Sequence, residues 1–273
     1  MLEKKDKFRF DSQIIQSPGV RKLLAVTRNI SRTVDLFVVS LVRRFVLSLL
    51  FFAGKCRITG QENIPPNGPY IMVVNHMSKA DPPLVMIALP RVRLRFFAAE
   101  KWEKHVIFGP LLRWGGAIFI NRGEVDRAPL SLALKALQGG SVFGLAPEGT
   151  RSRVGALIRA RDGAAYLATR SKVPVLPVAI ANTDILGHNM ARFRKTNIQI
   201  NIGEPFVLPE ASRRPKAAEL AAYTHLIMVH IAALLPERHR GFYAESPALK
   251  VYLDGEDPWL YCLQAEGVEA EGV

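Results

Sequence analysis

His76 and Asp81 stand five positions apart in Asn75-His76-Met77-Ser78-Lys79-Ala80-Asp81-Pro82, directly after the apolar run Tyr70-Ile71-Met72-Val73-Val74. A histidine takes and returns a proton near neutral pH, and a nearby carboxylate can hold its ring in one orientation. No serine or cysteine nucleophile is evident beside the pair. The spacing therefore points to a base that activates a hydroxyl belonging to the substrate. Backbone donors near the histidine turn are the expected stabilisers of any oxyanion formed there.

Such a pair works only if a strand delivers it to the edge of a core. The near-continuous apolar character of 71–74 predicts a strand in a sheet covered on both faces. Asp81, as a cap, and Pro82 are expected to open a helix over 82–89. Further strands are predicted at 94–98, 117–120, 141–146, 173–180 and 198–202, and helices at 107–114, 126–137, 163–169 and 216–235. Pro174 and Pro177 mark the 173–180 strand as an edge or irregular one. The strand-loop-helix rhythm defines an α/β domain, in which ligand crevices form beyond strand ends. Arg122 and Glu148 each follow a predicted strand, as His76 does, and so belong at one edge, while Lys101, after the 94–98 strand, could add positive charge near a phosphate or the donor. The segment after 236 reads as a short wrapping tail. Five further histidines, His105, His188, His225, His230 and His239, lack a similarly placed acid and strand-turn context and are read as surface or core residues.

The elements that carry charge narrow the partners. The chain has 273 residues and a formal charge of +13. Residues 1–60 hold twelve Lys or Arg against four Asp or Glu, whereas 251–273 hold six acidic residues and no basic one. An anionic partner is implied: nucleic acid, anionic lipid or a phosphorylated substrate. The basic end coincides with apolar runs at 36–42 and 45–53, split by Arg43-Arg44, each too short to span a bilayer. An amphipathic helical hairpin lying on a membrane accounts for this better. Phe37, Leu41, Phe45, Leu49 and Phe52 would meet the acyl region, and Arg43 and Arg44 the headgroups. Interruption of the basic residues by long apolar runs excludes a nucleic-acid reading. Cys56 and Cys262 have neither metal-ligand nor disulfide-framework spacing, and no metal cluster, Walker loop or dinucleotide fingerprint is present. The expected organisation is a membrane-associating segment at 1–54, an α/β domain at 55–265 and an acidic tail end at 266–273.

Four separated motifs resemble the glycerolipid acyltransferases, especially the bacterial 1-acyl-sn-glycerol-3-phosphate acyltransferases. They are Asn75-His76-Met77-Ser78-Lys79-Ala80-Asp81, Gly116-Ala117-Ile118-Phe119-Ile120-Asn121-Arg122, Pro147-Glu148-Gly149-Thr150-Arg151-Ser152 and Val173-Pro174-Val175-Leu176-Pro177-Val178. The tail Leu234-Leu235-Pro236-Glu237-Arg238-His239-Arg240-Gly241 is similar to the bacterial branch. The resemblance implies a mixed-sheet acyltransferase domain flanked by helices. It implies acyl transfer from acyl-CoA or an acyl carrier protein (acyl-ACP) to the sn-2 hydroxyl of lysophosphatidic acid, without a cofactor or metal. His76 would be the base and Asp81 its partner. Arg122, Glu148, Gly149, Thr150 and Arg151, with Lys101, would bind the phosphorylated acceptor. Val173, Pro174, Val175, Leu176 and Pro177 would form an acyl or acceptor pocket. A peripheral or monotopic place on the cytoplasmic face of the cell membrane follows from that reading. Acylation of glycerol 3-phosphate or of another lysophospholipid, and non-catalytic lipid binding, are the alternatives.

Overall fold

Short runs of Val, Ile and Phe bounded by glycine or proline become the strands of one mixed sheet in the computed structural model of the protein. The structure describes residues 54–89, 94–106, 108–120, 127–210 and 214–268, together with Arg44, which is helical and exposed. The chain divides into two units, 1–49 and 50–273, and the second holds the whole sheet. Apart from Arg44, the side chains expected to meet a membrane lie outside the described residues, as does Arg122.

The strands are β1 (Gly54–Thr59), β2 (Tyr70–Val74), β3 (Leu94–Ala99), β4 (Ala117–Ile120), β5 (Val142–Leu145), β6 (Val175–Ala181) and β7 (Thr196–Ile202). They lie in the order β1-β7-β6-β2-β5-β3-β4. Every pairing from β6 through to β4 is parallel, so β2, β5, β3 and β4 end on the same edge. β7 runs antiparallel to β6 and carries β1 beside it in parallel, so the sheet is mixed. The helices are α1 (Asp81–Ala88), α2 (Phe108–Trp114), α3 (Arg127–Gln138), α4 (Gly163–Ser171), α5 (Leu186–Ala191), α6 (Ala217–Ala233), α7 (Pro247–Leu253) and α8 (Trp259–Ala265).

One expectation is corrected by the position of β6. Its prolines suggested an edge or irregular strand, yet β6 lies between β2 and β7, and all seven of its residues are buried. Pro174 precedes the strand. Pro177 accepts a hydrogen bond from the Gly203 N–H, one residue beyond β7, so its missing donor falls where the β7 ladder ends. The core on the α6 side joins Ile71, Val73, Phe143, Val175 and Ala179 of the sheet to Tyr223, Leu226, Ile227 and Ile231. The tail is more built than a wrap: α7 and α8 pack on α6, with Trp259 stacked on Tyr223 at 4.6 Å between ring centroids.

Candidate active site

The chain turns sharply after β2, and three side chains, Asn75, Asp81 and Glu148, fix that turn. Asn75 is fully buried and clasps the β6 backbone at Ile180, donating to its carbonyl at 2.9 Å and accepting from its N–H at 2.7 Å. Asp81 was expected to cap α1 but is the first residue inside it, with Ala80 at the cap. Its carboxylate turns back onto the preceding loop because three donors converge there. Oδ2 accepts from Met77 N–H and Ser78 N–H, both at 2.7 Å, and meets His76 Nδ1 at 2.9 Å. A carboxylate oxygen accepts, so Nδ1 carries the proton and the lone pair lies on Nε2. Asp81 is 3% exposed, whereas the His76 side chain keeps 22% of its surface open.

Glu148 holds the turn from the neighbouring strand end. It lies just beyond β5 and is 1% exposed. Oε1 accepts from His76 N–H at 2.8 Å and Oε2 from Ile158 N–H at 3.0 Å. Burial pushes its carboxyl pKa up, and the two backbone donors work against that rise. Ser152 N–H donates to the His76 carbonyl at 2.7 Å. The loop after β5 therefore grips both backbone groups of the histidine. It also answers where the oxyanion donors are not: the N–H groups of His76, Met77 and Ser78 are all engaged by carboxylates.

A cavity of about 320 Å³ opens beside the turn. Met72, Val74, Val85, Leu94, Phe96, Phe97, Ile120 and Leu145 give it a largely apolar wall. Its polar wall is Asn75, His76, Asp81, Thr150 and Arg161. Gly144 lies on the wall where a Cβ would come within 2.8 Å of Leu94 and 2.9 Å of Met72, so glycine lets those two side chains pack against the strand.

Of the residues singled out by sequence, His76, Asp81, Gly149 and Thr150 come together at this cavity. Glu148 is behind it, facing backbone. Arg151 is half-buried on the same loop, and Lys101 is exposed in the short turn after β3, 5.5 Å from the Trp102 ring centroid; neither lies on the wall. β4 ends at Ile120 on the wall, two residues before Arg122. Val175 and Leu176 are fully buried within the sheet, and none of 173–177 lines the cavity. Arg161 is the residue that sequence reasoning missed. It precedes α4, its backbone N–H closes the loop on the Pro147 carbonyl at 2.9 Å, and its side chain packs beside Gly149. Its only sequence signal is a place in the basic series Arg151, Arg153, Arg159, Arg161. Among the described residues, no group of three His, Cys, Asp or Glu is placed to hold a metal ion.

The α/β sheet thus sets a carboxylate-oriented histidine at its parallel strand ends, open to a largely apolar cavity. Residues 55–181 match the family model described as Acyltransferase. The chain is 30% identical over 147 residues to a 1-acyl-sn-glycerol-3-phosphate acyltransferase of Borreliella burgdorferi, a match covering 53% of this chain and 58% of that protein. It is 22% identical to the enzyme of that name from Bacillus subtilis, over 68% of this chain and 91% of the relative. With the human alpha form it shares 28% identity over 60% of each chain. The chain thus spans about three fifths of the length of the first and third of these relatives. The crystal structure of the lysophosphatidic acid acyltransferase PlsC from Thermotoga maritima has the same fold, with a TM-score of 0.57 and 24% identity over 83% of this chain and 91% of that one. Over these segments the chain is similar to bacterial and eukaryotic 1-acyl-sn-glycerol-3-phosphate acyltransferases.

Proposed function

We propose that this chain transfers a fatty acyl group from acyl-CoA or acyl-ACP to the sn-2 hydroxyl of 1-acyl-sn-glycerol 3-phosphate, forming phosphatidic acid. One observation carries the reading: His76 Nδ1 is held on Asp81 at 2.9 Å while the same ring lines a largely apolar cavity. The acceptor hydroxyl gives its proton to His76 Nε2 as its oxygen attacks the thioester carbonyl. Asp81 stabilises the imidazolium that forms. The tetrahedral intermediate then collapses, and the departing thiolate takes the proton back from Nε2. No acyl-enzyme is needed. With the neighbouring N–H groups and the Asn75 amide engaged, the side chains of Thr150 and Arg161 are donors on the wall for the developing oxyanion or the acceptor phosphate.

Arg122 and Arg161 suit a phosphate because guanidinium pairs bidentately with its oxygens, and Arg151 and Lys101 add positive charge nearby. Gly149 keeps the loop backbone open to the headgroup. Glu148 serves as a positioning residue. The acyl chain occupies the apolar part of the cavity, where each methylene removed from water contributes about 0.8 kcal/mol. The names of the relatives support the acceptor, and the strong positive charge of 1–54 supports an anionic membrane surface as the place where it is met. In this reading 1–54 is an amphipathic hairpin, peripheral or monotopic on the cytoplasmic face, attached to an acyltransferase domain at 55–265. Among the described residues no helix is long and apolar enough to cross a membrane.

The test is a matrix of acceptors and donors with detergent-solubilised protein and positional analysis of the product. Phosphatidic acid acylated at sn-2 from lysophosphatidic acid is the expected outcome. Preference for glycerol 3-phosphate would assign the first acylation instead. Tight lysophosphatidate binding with no product from either donor would replace the enzyme by a lipid-binding protein.

A further inference from the structure

The tail motif Pro236-Glu237-Arg238-His239-Arg240-Gly241 has no part in the chemistry above, yet it is built into the fold with unusual care. His239 is fully buried. Its Nδ1 lies 2.5 Å from the Gly155 carbonyl, so Nδ1 carries the proton. Its Nε2 accepts from the Asn182 N–H at 3.2 Å, and Arg238 donates to Asn182 Oδ1 at 2.6 Å. On the backbone, Leu157 N–H donates to the His239 carbonyl at 2.9 Å, and Phe242 N–H to the Leu157 carbonyl at 3.0 Å. Gly241 has φ of 48°, and a Cβ there would stand 2.2 Å from the Leu157 carbonyl oxygen. Buried Tyr243 accepts from Ala160 N–H at 3.0 Å through its hydroxyl.

All of these partners, except those at Asn182, belong to the loop between β5 and α4. That loop grips the histidine: Ile158 N–H and His76 N–H share the Glu148 carboxylate, and Ser152 N–H holds the His76 carbonyl. Leu157, which the tail clamps on both sides, is the immediate neighbour of Ile158. A short, continuous series of hydrogen bonds therefore links the tail to the backbone of the base.

We propose that His239, with Gly241 and Tyr243, is a positioning residue: the tail clamps the 155–160 segment so that Glu148 and Ser152 hold His76 in register with Asp81. The idea deepens the acyl-transfer reading and rests on it for its kinetic readout. A small displacement of a base costs rate far more than it costs substrate binding.

Four variants of the full chain test this, with acyl-transfer kinetics and hydrogen exchange both measured. His239→Ala should lower kcat about 10- to 100-fold with donor KM within about threefold. His239→Asn, whose amide can still donate to Gly155, should recover to within about threefold of the parent. Tyr243→Phe, a milder change that removes one acceptor, should lower kcat about threefold. Trp259→Ala disturbs the same end of the chain through α8 alone, and kcat should stay within about twofold at a temperature where every variant is folded. Exchange at amides 75–78 and 148–160 should speed up in His239→Ala and stay unchanged in Trp259→Ala. That exchange readout stands even if the chain transfers no acyl group, so the two readings fail separately. Unchanged exchange at 75–78 in His239→Ala, or an equal loss of kcat in Trp259→Ala, would overturn the clamp. If His239→Ala does not fold, Tyr243→Phe decides: parental exchange at 158–160 overturns the proposal.

Discussion

Two histidine–carboxylate pairs among the described residues differ in what surrounds the second ring nitrogen. His76 meets Asp81 at 2.9 Å and turns its other face to a cavity. His225, on α6, meets Glu266 at 3.5 Å, and its Nε2 is already paired with Ser246 Oγ at 2.8 Å. Tyr243 closes edge-on over the ring at 5.4 Å between centroids. Burial lowers the His225 pKa, against the pull of Glu266. The same residue types thus leave one ring open to a cavity and make the other a structural tie. The difference lies in one free nitrogen with room for a hydroxyl, not in the carboxylate. The acid for His225 lies 41 residues along the chain, far outside turn spacing, so only the fold brings the two together.

Four substitutions or conditions separate the two pairs. The largest contrast is His76→Ala against His225→Gln. The first should cut kcat by about 10³-fold or more with an unchanged melting profile. The second should keep kcat within about twofold and cost about 1–2 kcal/mol in denaturant unfolding. Asp81→Asn comes next. It trades an acceptor for an amide facing two backbone N–H groups and the ring, and kcat should fall about 10²- to 10³-fold. Arg161→Ala should raise the KM for a phosphorylated acceptor about 10-fold, the worth of one charged hydrogen bond, while leaving donor KM in place. An acceptor KM that does not move would remove Arg161 from the phosphate site.

The smallest effect is a pH dependence confined to the structural side. Burial pushes the pKa of His230, stacked on Phe206 at 3.6 Å, down from 6.5 to about 4. Above pH 6.5 both folded and unfolded chains carry this ring neutral, and its contribution to stability is complete. As pH falls from 6.5 towards 4 the unfolded chain binds a proton that the folded chain refuses, so stability is lost. With the ring partly open to solvent, about 1–2 kcal/mol is expected, and His230→Phe should flatten that limb in unfolding titrations.

Much of the molecule was legible in the residue order. The 117–120 strand, the turn after β2 and the loop after β5 all announce themselves through apolar runs that end abruptly in polar or glycine residues. The central place of β6 was not legible, because whether a proline breaks a ladder depends on where the neighbouring strand stops. Nor was Arg161: its importance comes from packing beside Gly149 at a cavity wall, which its linear neighbours do not encode. The buried job of Glu148 was hidden as well, since its two N–H partners are 72 and 10 residues away.

The sequence by itself determined the chemistry on offer: a histidine and an aspartate at turn spacing, arginines beyond strand ends, and a basic apolar segment before the domain. Those depend on residue type and short spacing, which local geometry carries. Only the tertiary structure decided which histidine has an open nitrogen and which carboxylate orients rather than braces. It alone joined a tail motif far along the chain to the loop that holds the His76 backbone. Such choices rest on burial and on hydrogen bonds between distant segments, and those exist only once the sheet has brought its strand ends together.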